Sequence, residues 1–99
     1  MEGYDLMRER TFLDSTEGGA LPKKFKELVV VAMDILQNNV WGIRAHVRAA
    51  VLEGATMDEV TEVVALTILS RGMVGYRMGG YDALIAAEEA VKERESQGR

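Results

Sequence analysis

The chain has no cysteine, a single proline, a single histidine and a single tryptophan. Without cysteine there can be no disulfide, no thiolate nucleophile and no thiol-ligated zinc, although this says little about compartment. One histidine leaves only carboxylates to complete a metal site, and neither His-x-x-x-His nor Glu-x-x-His spacing occurs, so no metal or other cofactor is expected. Positive charge is also scarce: 12 basic side chains stand against 16 acidic ones, for a net charge of −4. That balance argues against a nucleic-acid surface and supplies no polybasic membrane anchor. No apolar run approaches the ~20 residues that cross a bilayer. The opening Met-Glu-Gly-Tyr-Asp carries acid where a secretory leader carries base, and a cytoplasmic location is expected. Finally, strand-like alternation is missing throughout.

What is present is apolar and helical in period. Hydrophobic residues make up 47% of the 99 positions, enough for one domain spanning 1–99. A chain this short leaves much apolar surface uncovered unless it self-associates, so a homo-oligomer is expected. Four main helices are predicted, with a short amphipathic helix or arm near Tyr4, Leu6 and Met7, followed by a loop over Asp14–Ala20. Pro22 suits the first turn of the next helix. Leu28 to Met33 is apolar on every face, which predicts enclosure, with Phe25, Leu28, Val29, Ala32, Ile35 and Leu36 as its core stripe. Lys23, Lys24 and Lys26 at its start oppose the helix dipole and read most simply as a solvated face.

Either Asn38 or Asn39 can cap the following helix. There Ile43, Val47, Ala50 and Val51 make one apolar stripe, bordered by His46, while Arg44 and Arg48 project elsewhere. Gly54 is a helix stop, and Thr56 with Glu59 has the spacing of a capping box. The third helix, Met57 to about Ser70, is too apolar for one stripe and is expected to be central. Four glycines between Gly72 and Gly80 suggest close backbone approach or a late helix start, but match no phosphate-binding pattern. In the last helix, Leu84, Ile85, Ala87 and Val91 are expected on the buried side from Tyr81 onward, and the tail from Lys92 should fray.

Lys-Glu-Leu, an apolar helix, then His-Val-Arg-Ala-Ala, Glu-Gly-Ala-Thr and Asp-Glu-Val resembles the carboxymuconolactone decarboxylase and alkylhydroperoxidase D superfamily over roughly residues 21 to 90. The redox branch of that superfamily has a Glu, a Cys twelve residues on, a second Cys three later and a His four after that. Those places here hold Glu27, Asn39, Gly42 and His46. The resemblance thus implies an all-α, alkylhydroperoxidase D-like helical bundle assembling to trimers or hexamers, without the dithiol peroxidase chemistry.

It further implies a site built on His46 and Glu27. The histidine would move a proton while donors steady the enolate-like charge left by lost carbon dioxide, and Glu27 would orient it or act as the base. Asn39, Trp41, Gly42 and Arg44 are candidates for the substrate pocket, with Arg44, Arg48 and Arg71 as carboxylate clamps. Each of these has a plainer reading: His46 as a hydrogen-bonded structural residue, Trp41 in the core, the arginines as exposed helix charges. The expected activity is that of a carboxy-lyase of the 4-carboxymuconolactone decarboxylase kind, acting on a small carboxylated lactone or related organic acid. The alternatives are a non-catalytic helical assembly or binding protein, and an antioxidant relative that has lost its redox cysteines.

Overall fold

Thr56 and Glu59 form the reciprocal cap that their spacing predicts. The Glu59 amide donates to Thr56 Oγ1 (3.1 Å) and the Thr56 amide donates to Glu59 Oε1 (2.9 Å), satisfying donors that a helix start otherwise leaves unmet. The computed structural model describes residues 2–97, excluding the side chains of Tyr4 and Arg8. In order it contains α1 (Glu2–Thr11), a 3-10 turn (Ser15–Glu17), α2 (Lys23–Leu36), α3 (Val40–Leu52), α4 (Met57–Arg71), a short α5 (Met73–Gly75), a π-helical segment (Tyr76–Gly80) and α6 (Tyr81–Gln97). No strand occurs among the described residues. The fold is all-α: α2, α3, α4 and α6 form the bundle and α1 is the N-terminal helix. Fraying from Lys92 is not seen, since α6 stays helical to Gln97; Gly98 and Arg99 lie outside the described residues.

The α3 stripe is where the periodicity puts it: Ile43, Val47, Ala50 and Val51 are inaccessible to solvent. Helix α2 differs from expectation. Its buried face is Glu27, Leu28, Val31, Asp34 and Ile35, while Phe25, Val29, Met33 and Leu36 are exposed. A helix apolar on all sides carries no period to say which side faces its own chain. For the same reason α4 is not central: it buries Val60, Val64 and Thr67 and leaves Leu69 84% exposed. In α6 the buried residues are Ala83, Ala86, Ala87 and Ala90, with Tyr81 exposed and Leu84, Ile85 and Val91 only half-buried. Alanine lets helix axes come close, and that closeness outweighs the larger side chains' claim to the interior. The glycines just before α6 act likewise, because a Cβ at Gly79 would come within 2.8 Å of Ile43 Cδ1 and one at Gly80 within 2.9 Å of Val64 Cγ1.

Two arginines tie the helix ends together. Arg94 donates from Nη1 to the carbonyls of Val51 and Ala55, each at 2.8 Å, and Arg71 donates to the Leu36 carbonyl. Both place positive charge at a helix C-terminus, where the last carbonyls lack partners. The lysine cluster is not a merely solvated face. Lys23 pairs with Glu53 (3.6 Å), Lys24 with Glu59 (3.1 Å), and Lys26 donates to the Leu13 carbonyl (2.6 Å).

Candidate functional site

Helices α2 and α3 form an antiparallel hairpin whose turn sets what faces what. Asn38 takes the left-handed conformation (φ 60°) that asparagine tolerates. Asn39 caps α3 by accepting from the Gly42 amide at 3.1 Å. At ~1.5 Å per residue, Glu27 lies ~15 Å back along α2 from the turn and His46 ~10 Å forward along α3. Side-chain reach covers the difference: His46 Nδ1 meets Glu27 Oε2 at 2.7 Å. With Glu27 ionised, Nδ1 is the donor of this bond, and Nε2 makes no hydrogen bond among the described residues. Glu27 is only 5% exposed, and a buried carboxylate is tolerated where it is paired in this way.

The same α2 face carries a second acid one helical turn pair further on. Asp34, 8% exposed, lies opposite Gly42 and accepts a long hydrogen bond from Asn39 Nδ2 (3.4 Å), leaving its Oδ2 without a partner. Burial pushes the Asp34 carboxyl up from the ordinary aspartate value, against the opposing pull of His46 and the Asn39 amide. Gly42 is a glycine because the acid is there: a Cβ would come within 2.7 Å of Asp34 Oδ2 and 2.6 Å of Asn39 Nδ2.

A cavity of about 570 Å³ opens over these residues. Its α2 and α3 walls include Glu27, Val30, Asn39, Trp41, Gly42 and His46, and α1 with the residue after it adds Met7, Thr11 and Phe12. The Phe12 ring lies nearly parallel to the imidazole, 12° between planes and 6.0 Å between centroids. The loop beyond Phe12 is fastened to α2: Asp14 Oδ1 accepts from the Lys23 amide (2.9 Å), and Lys26 holds the Leu13 carbonyl. The Thr16 hydroxyl most of all, then the Lys23 and Thr16 amides, hold the Asp14 carboxyl far below the usual range.

Of the residues expected at the site, Glu27, His46, Asn39, Trp41 and Gly42 line this one cavity. Arg44 does not; it lies in a separate groove on the α6 side, 3.6 Å from Asp82. Arg48 forms a two-pronged pair with Glu93, and Arg71 serves the α2 terminus. Hence none of the three arginines lines this cavity. Trp41 is not in the core, being 80% exposed. Asp34, Phe12, Met7 and Thr11 were not foreseen. Asp34 had a signal, as the one charge between Leu28 and Leu36; Phe12 had none, since only the folded arm brings it to His46. Among the described residues no group of three or more metal-ligating side chains forms.

The profile of the carboxymuconolactone decarboxylase family matches residues 1–93. The chain belongs to this family. A carboxymuconolactone decarboxylase family structure, from Burkholderia xenovorans LB400 and bearing that enzyme's name provisionally, superposes with a TM-score of 0.92 at 33% identity, covering 96% of this chain and 71% of the other. "Uncharacterized protein 4 in cox locus" of Paracoccus denitrificans is 34% identical over 58 residues, 59% of this chain. The chain matches about half of that relative's length, 52%. Within the family fold, the acid and the histidine that carried the resemblance are the two side chains in contact at the cavity wall.

Proposed function

We propose that the protein is an acid–base enzyme of the carboxy-lyase type, acting on a small carboxylated lactone or a related organic acid. The observation that supports this most is the 2.7 Å Glu27–His46 contact in the wall of a cavity sized for a small molecule. Glu27 fixes the imidazole's orientation and tautomer, so that Nε2 is the atom offered to substrate. In the reaction the bond to the carboxyl carbon breaks, carbon dioxide leaves, and the electron pair stays on the substrate as an enolate. His46 takes up a proton from solvent at Nε2, gives it to the substrate carbon from which carbon dioxide departed, and returns to the form with its proton on Nδ1. The Asn39 amide and the Thr11 hydroxyl are the neutral donors at hand for the enolate oxygen. Peroxide reduction through a dithiol has no cysteine to run on.

Release of carbon dioxide from carboxylated γ-lactones tests the reading. His46→Ala should abolish it with the helical circular dichroism kept. Glu27→Gln should retain substrate binding but lower turnover, because a neutral amide stabilises an imidazolium less than a carboxylate does. Activity undiminished in His46→Ala, or no release above a protein-free control from any such lactone, would refute it. The protein is also proposed to self-associate through the exposed face where Phe25 and Val29 of α2 meet Leu66 of α4.

A further inference from the structure

The Glu27–His46 contact has a counterpart about two helical turns away. Asp34 follows Glu27 by seven residues on α2 and Asn39 precedes His46 by seven, so the antiparallel hairpin sets a second acid against a second polar group of the cavity wall. In both couples the acid is buried and its partner lines the cavity. The Asn39 amide is gripped at both ends. Its Oδ1 accepts from the Gly42 amide at 3.1 Å, and its Nδ2 donates to Asp34 Oδ1 at 3.4 Å. A backbone N–H only donates and an ionised carboxylate only accepts, so the two partners select the same one of the amide's two orientations. Burial opposes ionisation of Asp34, while His46 and the Asn39 amide favour it. Gly42 keeps the group together, since a Cβ there would strike both Asn39 Nδ2 and Asp34 Oδ2.

We infer that Asp34 is a positioning residue: acting through Asn39, it holds one Nδ2 hydrogen and so presents the other to the cavity, as Glu27 presents Nε2 of His46. Use of that hydrogen as the donor to the enolate oxygen rests on the proposed reaction; the orientation of the amide does not. The asparagines are Asn38 and Asn39, so isotope-labelled asparagine gives two side-chain amide signals by nuclear magnetic resonance, and Asn38→Gly, which suits the left-handed turn, assigns them. One Nδ2 hydrogen of Asn39 should exchange with water about ten-fold more slowly than those of Asn38. In Asp34→Asn, whose amide can meet Asn39 with either a donor or an acceptor, that protection should be lost. Turnover reads the consequence. Asn39→Ser keeps an N-cap but no amide, and should lower kcat for lactone decarboxylation about a hundred-fold with KM nearly unchanged. Asp34→Asn should lower kcat about ten-fold, and no further once Asn39 is serine, whereas an acid with a merely structural role would add its loss in both backgrounds. An Asn39 amide that exchanges like that of Asn38, or that ignores Asp34→Asn, overturns the inference, and so do kcat losses that simply add. A protected amide released by Asp34→Asn in a protein with no lactone turnover upholds the positioning of Asn39 and rejects the reaction.

Discussion

Replacing Gly42 by alanine sets two rules against each other. Alanine is better than glycine in a helix interior by about 1 kcal/mol, somewhat less in a first turn, so propensity alone makes Gly42→Ala stabilising. Packing says the opposite. The new methyl would sit 2.6 Å from Asn39 Nδ2, 2.7 Å from Asp34 Oδ2 and 2.9 Å from Asp34 Cγ, where ordinary contact is 3.4–4 Å. Asp34 is buried and cannot swing away, so α2 and α3 must part by several tenths of an ångström at the turn that sets the facing of Glu27 and His46. Overpacking of this kind costs about 1–3 kcal/mol, which leaves a net loss of about 1 kcal/mol, or ~4–8 °C in Tm for a domain of this size. Urea and thermal denaturation followed by circular dichroism, at one protein concentration to hold self-association fixed, would read it. In an Asp34→Ala background two of the three close contacts vanish. There the same substitution should become neutral or stabilising, a coupling of about 1 kcal/mol or more. A higher Tm for Gly42→Ala alone, or effects of the two changes that simply add, would refute the account of why this position is glycine.

The raised Asp34 value has a sign in pH. An acid whose folded-state value lies above its unfolded one favours the fold most at low pH, and that benefit is lost as pH rises through the folded value. Asp34→Asn should accordingly gain stability relative to wild type on going from about pH 4 to pH 7; a difference that shrinks over that range would contradict it. Glu59 is the reverse case, held low first by the Thr56 amide and then by Lys24. Its contribution is present above the unfolded value and lost as pH falls through the folded one, so Glu59→Gln should matter at pH 7 and cease to matter in acid. Thr56→Ala should cost about 1 kcal/mol by urea titration, and no change in midpoint would mean that the cap is idle. Light scattering should report a species of at least twice the 10.9 kDa chain mass, and Val29→Glu with Leu66→Glu should shift it toward the monomer. A wild-type monomer at micromolar concentration would count against self-association.

How far the sequence could be read depended on whether each signal was one-sided. Helix α3 has a single apolar stripe, and Ile43, Val47, Ala50 and Val51 are all buried where the period put them. In α2 and α4 the apolar residues go all the way round, and hydrophobicity does not distinguish burial against one's own chain from burial against another. On α6 Ala87 is buried as expected, but Ala83, Ala86 and Ala90 were missed because alanine carries little hydrophobic weight yet permits the closest helix approach. Periodicity placed Glu27 and His46 only at the edge of the core; the family resemblance paired them, and the hairpin turn at Asn38–Asn39 supplies the physical reason. Partners of the lysine cluster lie some thirty residues away in sequence, at Glu53 and Glu59, beyond any local rule. Asp34 was legible in principle, since a lone acid in an apolar run must either find shelter or do something.

The alanine surface of α6 makes the fold's tolerance lopsided. Ala83, Ala86, Ala87 and Ala90 have almost nothing left to remove, so trimming any of them to glycine takes away one methyl and costs about 1 kcal/mol in helix propensity. Growth is another matter. Valine or leucine at Ala86 or Ala90, which share a groove with Arg44 and Arg48, would act as a wedge against α3, which is tied to α6 by Arg94 at one end and by the Arg44–Asp82 and Arg48–Glu93 pairs along its length. Because His46 rides on α3 and Glu27 on α2, one added side chain on the far side of the bundle would be transmitted as a change in the gap between them. The spacing of the pair is therefore gauged from behind, by residues that never touch it.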